Sequence, residues 1–187
     1  MRVIAGTAKG HHLKSPPGSA TRPTTDLVRG AIFSLLNAVA QDWDCVLDLY
    51  AGTGALGIEA LSRGAGHADF VEQSARCCAV IRENLQNTGL AERARVYCMS
   101  VERFLAHPRT SYSVILMDPP YTDISLQDIM NKVTLWSGAD KNTVIMIQYS
   151  RRVSLAPIYN KFKQIKNRRY GDTCVSFYQA GDEPWLK

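Results

Sequence analysis

The chain has no apolar run near the roughly 20 residues that a membrane-spanning helix needs. Its first residues, Met1 to Gly6, begin an apolar stretch that stops at once, which is not a secretory leader. Both absences point to the cytoplasm. The five cysteines form no C-x-x-C pair, and none has a histidine at ligand spacing. That pattern excludes a disulfide framework and a zinc site, and it leaves free thiols of a reducing compartment. No metal is expected, and His11-His12 reads as a solvated pair. No internal repeat, low-complexity tract or linker divides the 187 residues, so a single domain over 1–187 is expected. No interface pattern stands out, so the chain is expected to be monomeric.

Acidic residues are scarce in two places. Residues 151–170 carry Arg151, Arg152, Lys161, Lys163, Lys166, Arg168 and Arg169 with no Asp or Glu. Residues 1–29 carry Arg2, Lys9, Lys14, Arg22 and Arg29 against Asp26 alone. On a chain of net charge +5, such one-signed ends suit a polyanion such as nucleic acid, and they equally suit a solvated basic face.

What is present is an alternation of short apolar strands and amphipathic helices. Val3–Ile4 and His12–Lys14 read as a small N-terminal hairpin within an extension over 1–20, broken by Pro16-Pro17-Gly18. Thr24-Thr25-Asp26 starts a helix whose apolar face holds Ile32, Phe33 and Leu36. Strands follow at 45–50, 68–71, 95–99, 113–117 and 143–148, with helices at 55–63, 74–88, 101–106 and 125–136. An antiparallel pair, 162–169 and 174–178, closes the chain around Gly171-Asp172. Alternating strands and helices imply right-handed crossovers and a mostly parallel, Rossmann-like α/β sheet of seven strands with an antiparallel C-terminal hairpin. Ligands of such sheets bind beyond the strands' carboxyl ends.

The first strand runs into Asp48-Leu49-Tyr50-Ala51-Gly52-Thr53-Gly54-Ala55-Leu56-Gly57. Gly52, Gly54 and Gly57 make G-x-G-x-x-G between a strand and a helix, a turn that brings backbone N–H groups against a ligand. Glu72 ends the second strand, 20 residues after Gly52, where a carboxylate accepts from both hydroxyls of an adenosine ribose. A nicotinamide dinucleotide and S-adenosyl-L-methionine both offer that ribose. Asp48 favours the second, because an anion beside the glycines repels a pyrophosphate and attracts the amino group and sulfonium of S-adenosylmethionine.

The fourth strand runs into Asp118-Pro119-Pro120-Tyr121. Two prolines cannot continue a sheet ladder, so they fix a loop whose carbonyls stay available as acceptors. Asp118 and the Pro119 carbonyl can each take one N–H of an exocyclic amino group, and Tyr121 can stack on the base. These are the groups that methyl transfer to a base amino nitrogen requires, gained chiefly through positioning and electrostatics.

The D-P-P-Y with its upstream glycine loop resembles the amino-methyltransferases of nucleic acids. Ile4-Ala5-Gly6 with Lys9-Gly10, Arg22-Pro23-Thr24-Thr25-Asp26-Leu27-Val28-Arg29, and Asp48 through Leu61 narrow the resemblance to the bacterial 16S rRNA guanine-N2 methyltransferase family called RsmD. It covers nearly the whole chain. It implies the class I methyltransferase fold, S-adenosylmethionine, and methylation of one guanine N2 of small-subunit rRNA, free or in an assembling subunit. The cofactor residues it implies are Asp48, Tyr50, Gly52, Thr53 and Gly54 on the loop, Glu72 and Gln73 after the second strand, and Asp118. Ser100 and Val101 complete them after the third strand, where Ser100 stands in place of the family's usual acid near the adenine. Asp118, Pro119, Pro120 and Tyr121 would be catalytic, and Arg2, Lys9, Arg22, Thr24 and Arg29 would contact RNA. A DNA adenine-N6 or other RNA amino-methyltransferase, and a silent nucleotide-binding module, are the other readings. A separate DNA-recognition domain has no room in this chain, and a binder needs no matched acid and aromatic.

Overall fold

The computed structural model describes residues 1–16, 26–109, 111–120 and 125–181. The elements in chain order are α1 (Asp26–Val39), β1 (Cys45–Leu49), α2 (Ala55–Ser62), β2 (His67–Glu72), α3 (Ala75–Asn87) and β3 (Ala94–Cys98). There follow α4 (Val101–Leu105), β4 (Val114–Met117), α5 (Leu126–Leu135), β5 (Val144–Ser150), β6 (Ile158–Tyr159), β7 (Phe162–Tyr170) and β8 (Thr173–Ala180). They form one sheet of eight strands in the order β3-β2-β1-β4-β5-β8-β7-β6. The first five strands pair in parallel, and the last three are antiparallel additions.

The central strands are apolar on both faces because helices cover both. Val46, Phe70, Leu116 and Met146 point toward α1, α2 and α3 and pack with Ile32, Phe33, Ile58 and Ile81. Leu47, Leu49, Met117 and Ile147 point the other way, among Phe104 of α4 and Ile129, Met130 and Val133 of α5. Sheet order reverses direction between β1 and β4, so the crevice at their carboxyl ends is the switch point where such sheets bind ligands.

Two sequence expectations differ from the structure. The sheet has eight strands rather than seven, since two-residue β6 pairs with the start of β7. The N-terminal hairpin is not a pair of strands, because residues 1–16 share one antiparallel bridge, Arg2 with His12. Val3 N donates to His11 O at 3.0 Å and Leu13 N to Met1 O at 2.9 Å across that bridge, and further hydrogen bonds tie the segment to helices. Buried Glu59 of α2 accepts from Ile4 N at 2.7 Å and Ala5 N at 3.0 Å. Ser62 Oγ donates to Ala5 O at 2.6 Å and accepts from Ala8 N at 2.9 Å. Gly6 lies so close that a Cβ would meet the Ser62 carbonyl oxygen at 1.8 Å, and its φ of +82° is itself a glycine conformation. Buried Asn84 of α3 then ties Lys14 to the glycine loop, donating to Lys14 O at 3.1 Å and to Thr53 O at 3.0 Å.

Candidate active site

The loop after β1 turns through three left-handed residues, Tyr50 (φ 62°), Gly52 (φ 57°) and Gly54 (φ 77°). Tyr50 is a bulky side chain in a strained conformation, of the kind that gathers at functional turns. The three glycines serve different ends. At Gly52 an added Cβ would have nothing nearer than 4.0 Å, so this residue is needed for its φ and faces open space. Gly54 caps α2 with no side-chain hydrogen bond, and the start of the helix is held instead by Asp48, whose carboxylate takes the Gly57 N–H. Gly57 permits close packing, because a Cβ there would lie 2.3 Å from the Phe70 ring.

Glu72 braces the loop. Its Oε2 accepts from Gly52 N at 3.0 Å and its Oε1 from Ser74 N at 2.8 Å. Each oxygen keeps a second lone pair for a ribose hydroxyl. Gln73 beside it is exposed. Asp48 sits under the loop rather than in its open mouth. It is 1% exposed, and its Oδ2 accepts from Gly57 N at 2.8 Å. Burial pushes its carboxyl up to about 7 against the pull of the Gly57 N–H, with Asp118 and Glu72 adding to the rise. The direct contact expected between Asp48 and a cofactor amino group is therefore taken by Gly57, and Asp48 acts on the crevice as a charge from below.

Across the crevice Ser100 caps α4, its Oγ accepting from Arg103 N at 3.3 Å. The serine caps the helix as an aspartate there would, and buried Val101 opens the helix. The Tyr50 hydroxyl is buried without a partner among the described residues, and burial near Glu102 raises its pKa.

β1 and β4 pair with Leu49 opposite Met117, so Asp118 emerges next to the glycine loop. Pro119 is buried and Pro120 exposed. Sequence reasoning missed a neighbour of Asp118. Gln148 of β5, 4% exposed, donates from Nε2 to Asp118 Oδ1 at 3.1 Å. Its signal was a lone amide closing the apolar run Val144-Ile145-Met146-Ile147.

The RNA-contact set is divided. Arg2 and Lys9 are exposed, and Arg2 Nε lies 3.4 Å from Asp26. Arg29 does not face solvent and is not an RNA contact in this structure. It is 0% exposed, and its Nη2 donates to Asp26 Oδ1 at 2.9 Å and to Arg2 O. Burial lowers its pKa, although Glu59 and Asp26 oppose that. Arg22, Thr24 and Tyr121 lie outside the described residues.

Three acids around a glycine turn at the start of a helix suit a cofactor with an adenosine ribose and positive charge. They do not suit a dinucleotide whose pyrophosphate Asp48 and Asp118 would repel. This is the donor set of an α/β methyltransferase using S-adenosylmethionine. The family described as "Conserved hypothetical protein 95" matches residues 1–179. The chain is 35% identical over 182 residues to "Putative rRNA methyltransferase YlbH" of Bacillus subtilis, covering 96% of this chain and 98% of that protein. It is 38% identical over 131 residues to "Ribosomal RNA small subunit methyltransferase D" of Escherichia coli K12, covering 70% of this chain and 65% of that protein. A solved structure, "Putative methyltransferase yhhF from Escherichia coli", superposes with a TM-score of 0.86 at 30% identity, over 98% of this chain and 99% of that one. The chain belongs to the RsmD/YlbH family of S-adenosylmethionine-dependent methyltransferases.

Proposed function

We propose that the protein transfers the methyl group of S-adenosylmethionine to the exocyclic N2 of a guanine in 16S rRNA. The observation that carries the reading is the juxtaposition of the braced glycine loop with Asp118 at one switch point. The names of the relatives supply the class of RNA. Bound S-adenosylmethionine supplies an electrophilic methyl group on a sulfonium. Gly52, Gly54 and Glu72 hold the adenosine end, and Asp48 offsets positive charge from beneath.

Asp118 and the Pro119 carbonyl accept the two N–H bonds of the guanine amino group and aim its lone pair into the crevice. One oxygen of Asp118 is held by Gln148, which fixes the orientation of the carboxylate. When the methyl group passes from sulfur to the amino nitrogen, the nitrogen gives up a proton, and Asp118 would take it. Tyr121 stacks on the base face, and Arg2 and Lys9 touch RNA phosphate. An amino group inside a duplex is out of reach, so the target is a looped or flipped guanine.

The test supplies labelled S-adenosylmethionine with small subunits lacking this methyl group, with naked 16S rRNA and with DNA, then identifies the labelled nucleoside. N2-methylguanosine is expected. N6-methyladenine, or labelled DNA with unlabelled rRNA, would overturn the proposal.

A further inference from the structure

The basic stretch that carries no acid has a definite place in the sheet. β7 runs parallel to β5, with β8 antiparallel between them. In register, Gln148 of β5 stands opposite Val175 of β8, and Val175 stands opposite Arg168 of β7. Gln148 also holds Asp118. One cross-strand row thus leads from Asp118 through Gln148 and Val175 to Arg168. Three strand spacings separate its ends, about 14 Å. Arg169 and Tyr170 continue past that row, and Arg151 follows the carboxyl end of β5, bonded through its N–H to Asp172 O at 2.9 Å. Arg151, Arg168 and Arg169 therefore lie at the same end of the sheet as the active site.

β7 is also an open edge. β6 pairs only with Phe162 and Lys163, and the ladder of β7 toward β8 shifts between Gln164 and Lys166. Gln164 and Asn167 both donate to Ser176 Oγ, so the bulge restores them to one face. Lys166 and Arg168 then project to the opposite face, and Arg169 shares the face of Asn167. Cations fan to both sides of the strand. Arg168 and Arg169 are exposed and bond to main-chain carbonyls, Asn167 O at 3.0 Å and Gly171 O at 2.9 Å, which leaves their charge uncompensated. Arg151 pairs with Asp172 at 2.7 Å.

We propose that the carboxyl-terminal half of β7, with Lys166, Arg168 and Arg169, binds the sugar–phosphate backbone of the substrate RNA beside the target nucleotide. The inference rests on the rRNA methyltransferase reading above. At about 3.4 Å per stacked nucleotide, 14 Å is a few nucleotides from the flipped base. The contacts carry no sequence information and set register on the strand. A charged edge strand also resists pairing with another copy, which is the competing explanation of the same residues.

The test measures RNA affinity as a function of salt for wild type, for the Arg168→Gln/Arg169→Gln double variant and for Arg168→Lys/Arg169→Lys, using 16S rRNA and small subunits lacking the methyl group. Melting temperature and cofactor affinity serve as controls for folding. The Gln pair is expected to lower the slope of log affinity against log salt by about 1.5 and to raise KM for RNA about tenfold. The Lys pair is expected to keep most of both. If the Gln pair leaves slope and KM unchanged, the surface is refuted, and increased self-association of that variant would assign the cations to guarding the edge. If wild type transfers no methyl group to any RNA, the functional reading fails and the surface falls with it.

Discussion

In the proposed reaction, the chemistry turns on the contact of Asp118 with Gln148. A carboxylate held by a neutral amide keeps its orientation without acquiring a counter-charge. Gln148→Met keeps the volume and removes the donor. It is expected to lower kcat about tenfold while KM for cofactor and RNA stays within twofold, because small misplacement of a reacting group costs rate rather than binding. Steady-state kinetics with each substrate varied would check this split. Asp48 gives a pH prediction. With its carboxyl pushed up to about 7 from 3.8, the folded chain retains a proton that the unfolded chain releases above about pH 4. Stability of the cofactor-free protein is therefore expected to fall as pH rises from about 4 to about 7, then level off. A cationic cofactor favours the ionised carboxylate, so S-adenosylmethionine should bind more tightly as pH rises toward 7 and release a proton. Calorimetry in buffers of different ionisation enthalpy measures that proton, and affinity that is flat from pH 5.5 to 8 would remove Asp48 from the account.

At the scale of elements, α2 carries both the glycine loop and the anchor of the N-terminal segment. Two acids set into apolar surroundings do this work: Asp48 holds the start of the helix through Gly57, and Glu59 holds Ile4 and Ala5. Glu59→Ala would orphan two backbone donors and a partner of Arg63. It is expected to destabilise the fold by about 3 kcal/mol and to speed amide exchange at residues 4 and 5, read by denaturant titration and hydrogen exchange. Gly57→Ala would drive a methyl group into Phe70 and is expected to cost about 1–3 kcal/mol, seen as a lowered melting temperature.

The strands at 45, 68, 114 and 144 were legible because a doubly covered parallel strand is a short apolar run, and β3, half exposed at the sheet edge, was legible without being one. The hairpin was read as two strands because Val3–Ile4 looks the same whether both N–H groups meet a facing strand or, as here, Val3 N meets His11 O and Ile4 N meets Glu59. The resemblance set Arg29 among the RNA contacts, although it shares the 29, 32, 33, 36 spacing of a buried helix face with Ile32, Phe33 and Leu36. Gln148 lay in a strand read correctly, and only the pairing of β4 with β5 shows what it faces.

At the scale of the whole molecule, the sheet gathers three separate stretches of sequence at one end: the loop after β1, the acid after β4, and the basic turn beyond β7. The first two meet at the switch point, and the third stands two strands beyond β5. The arrangement assigns cofactor binding and base handling to different loops, so each should fail separately. Asp118→Asn puts that separation to the most direct test, in single-turnover methyl transfer to small subunits at saturating S-adenosylmethionine, with cofactor affinity measured on the same preparation. The account predicts that transfer falls by at least about 100-fold while the dissociation constant for S-adenosylmethionine stays within threefold. Transfer near the wild-type rate, or loss of transfer that merely follows loss of cofactor binding, would contradict it.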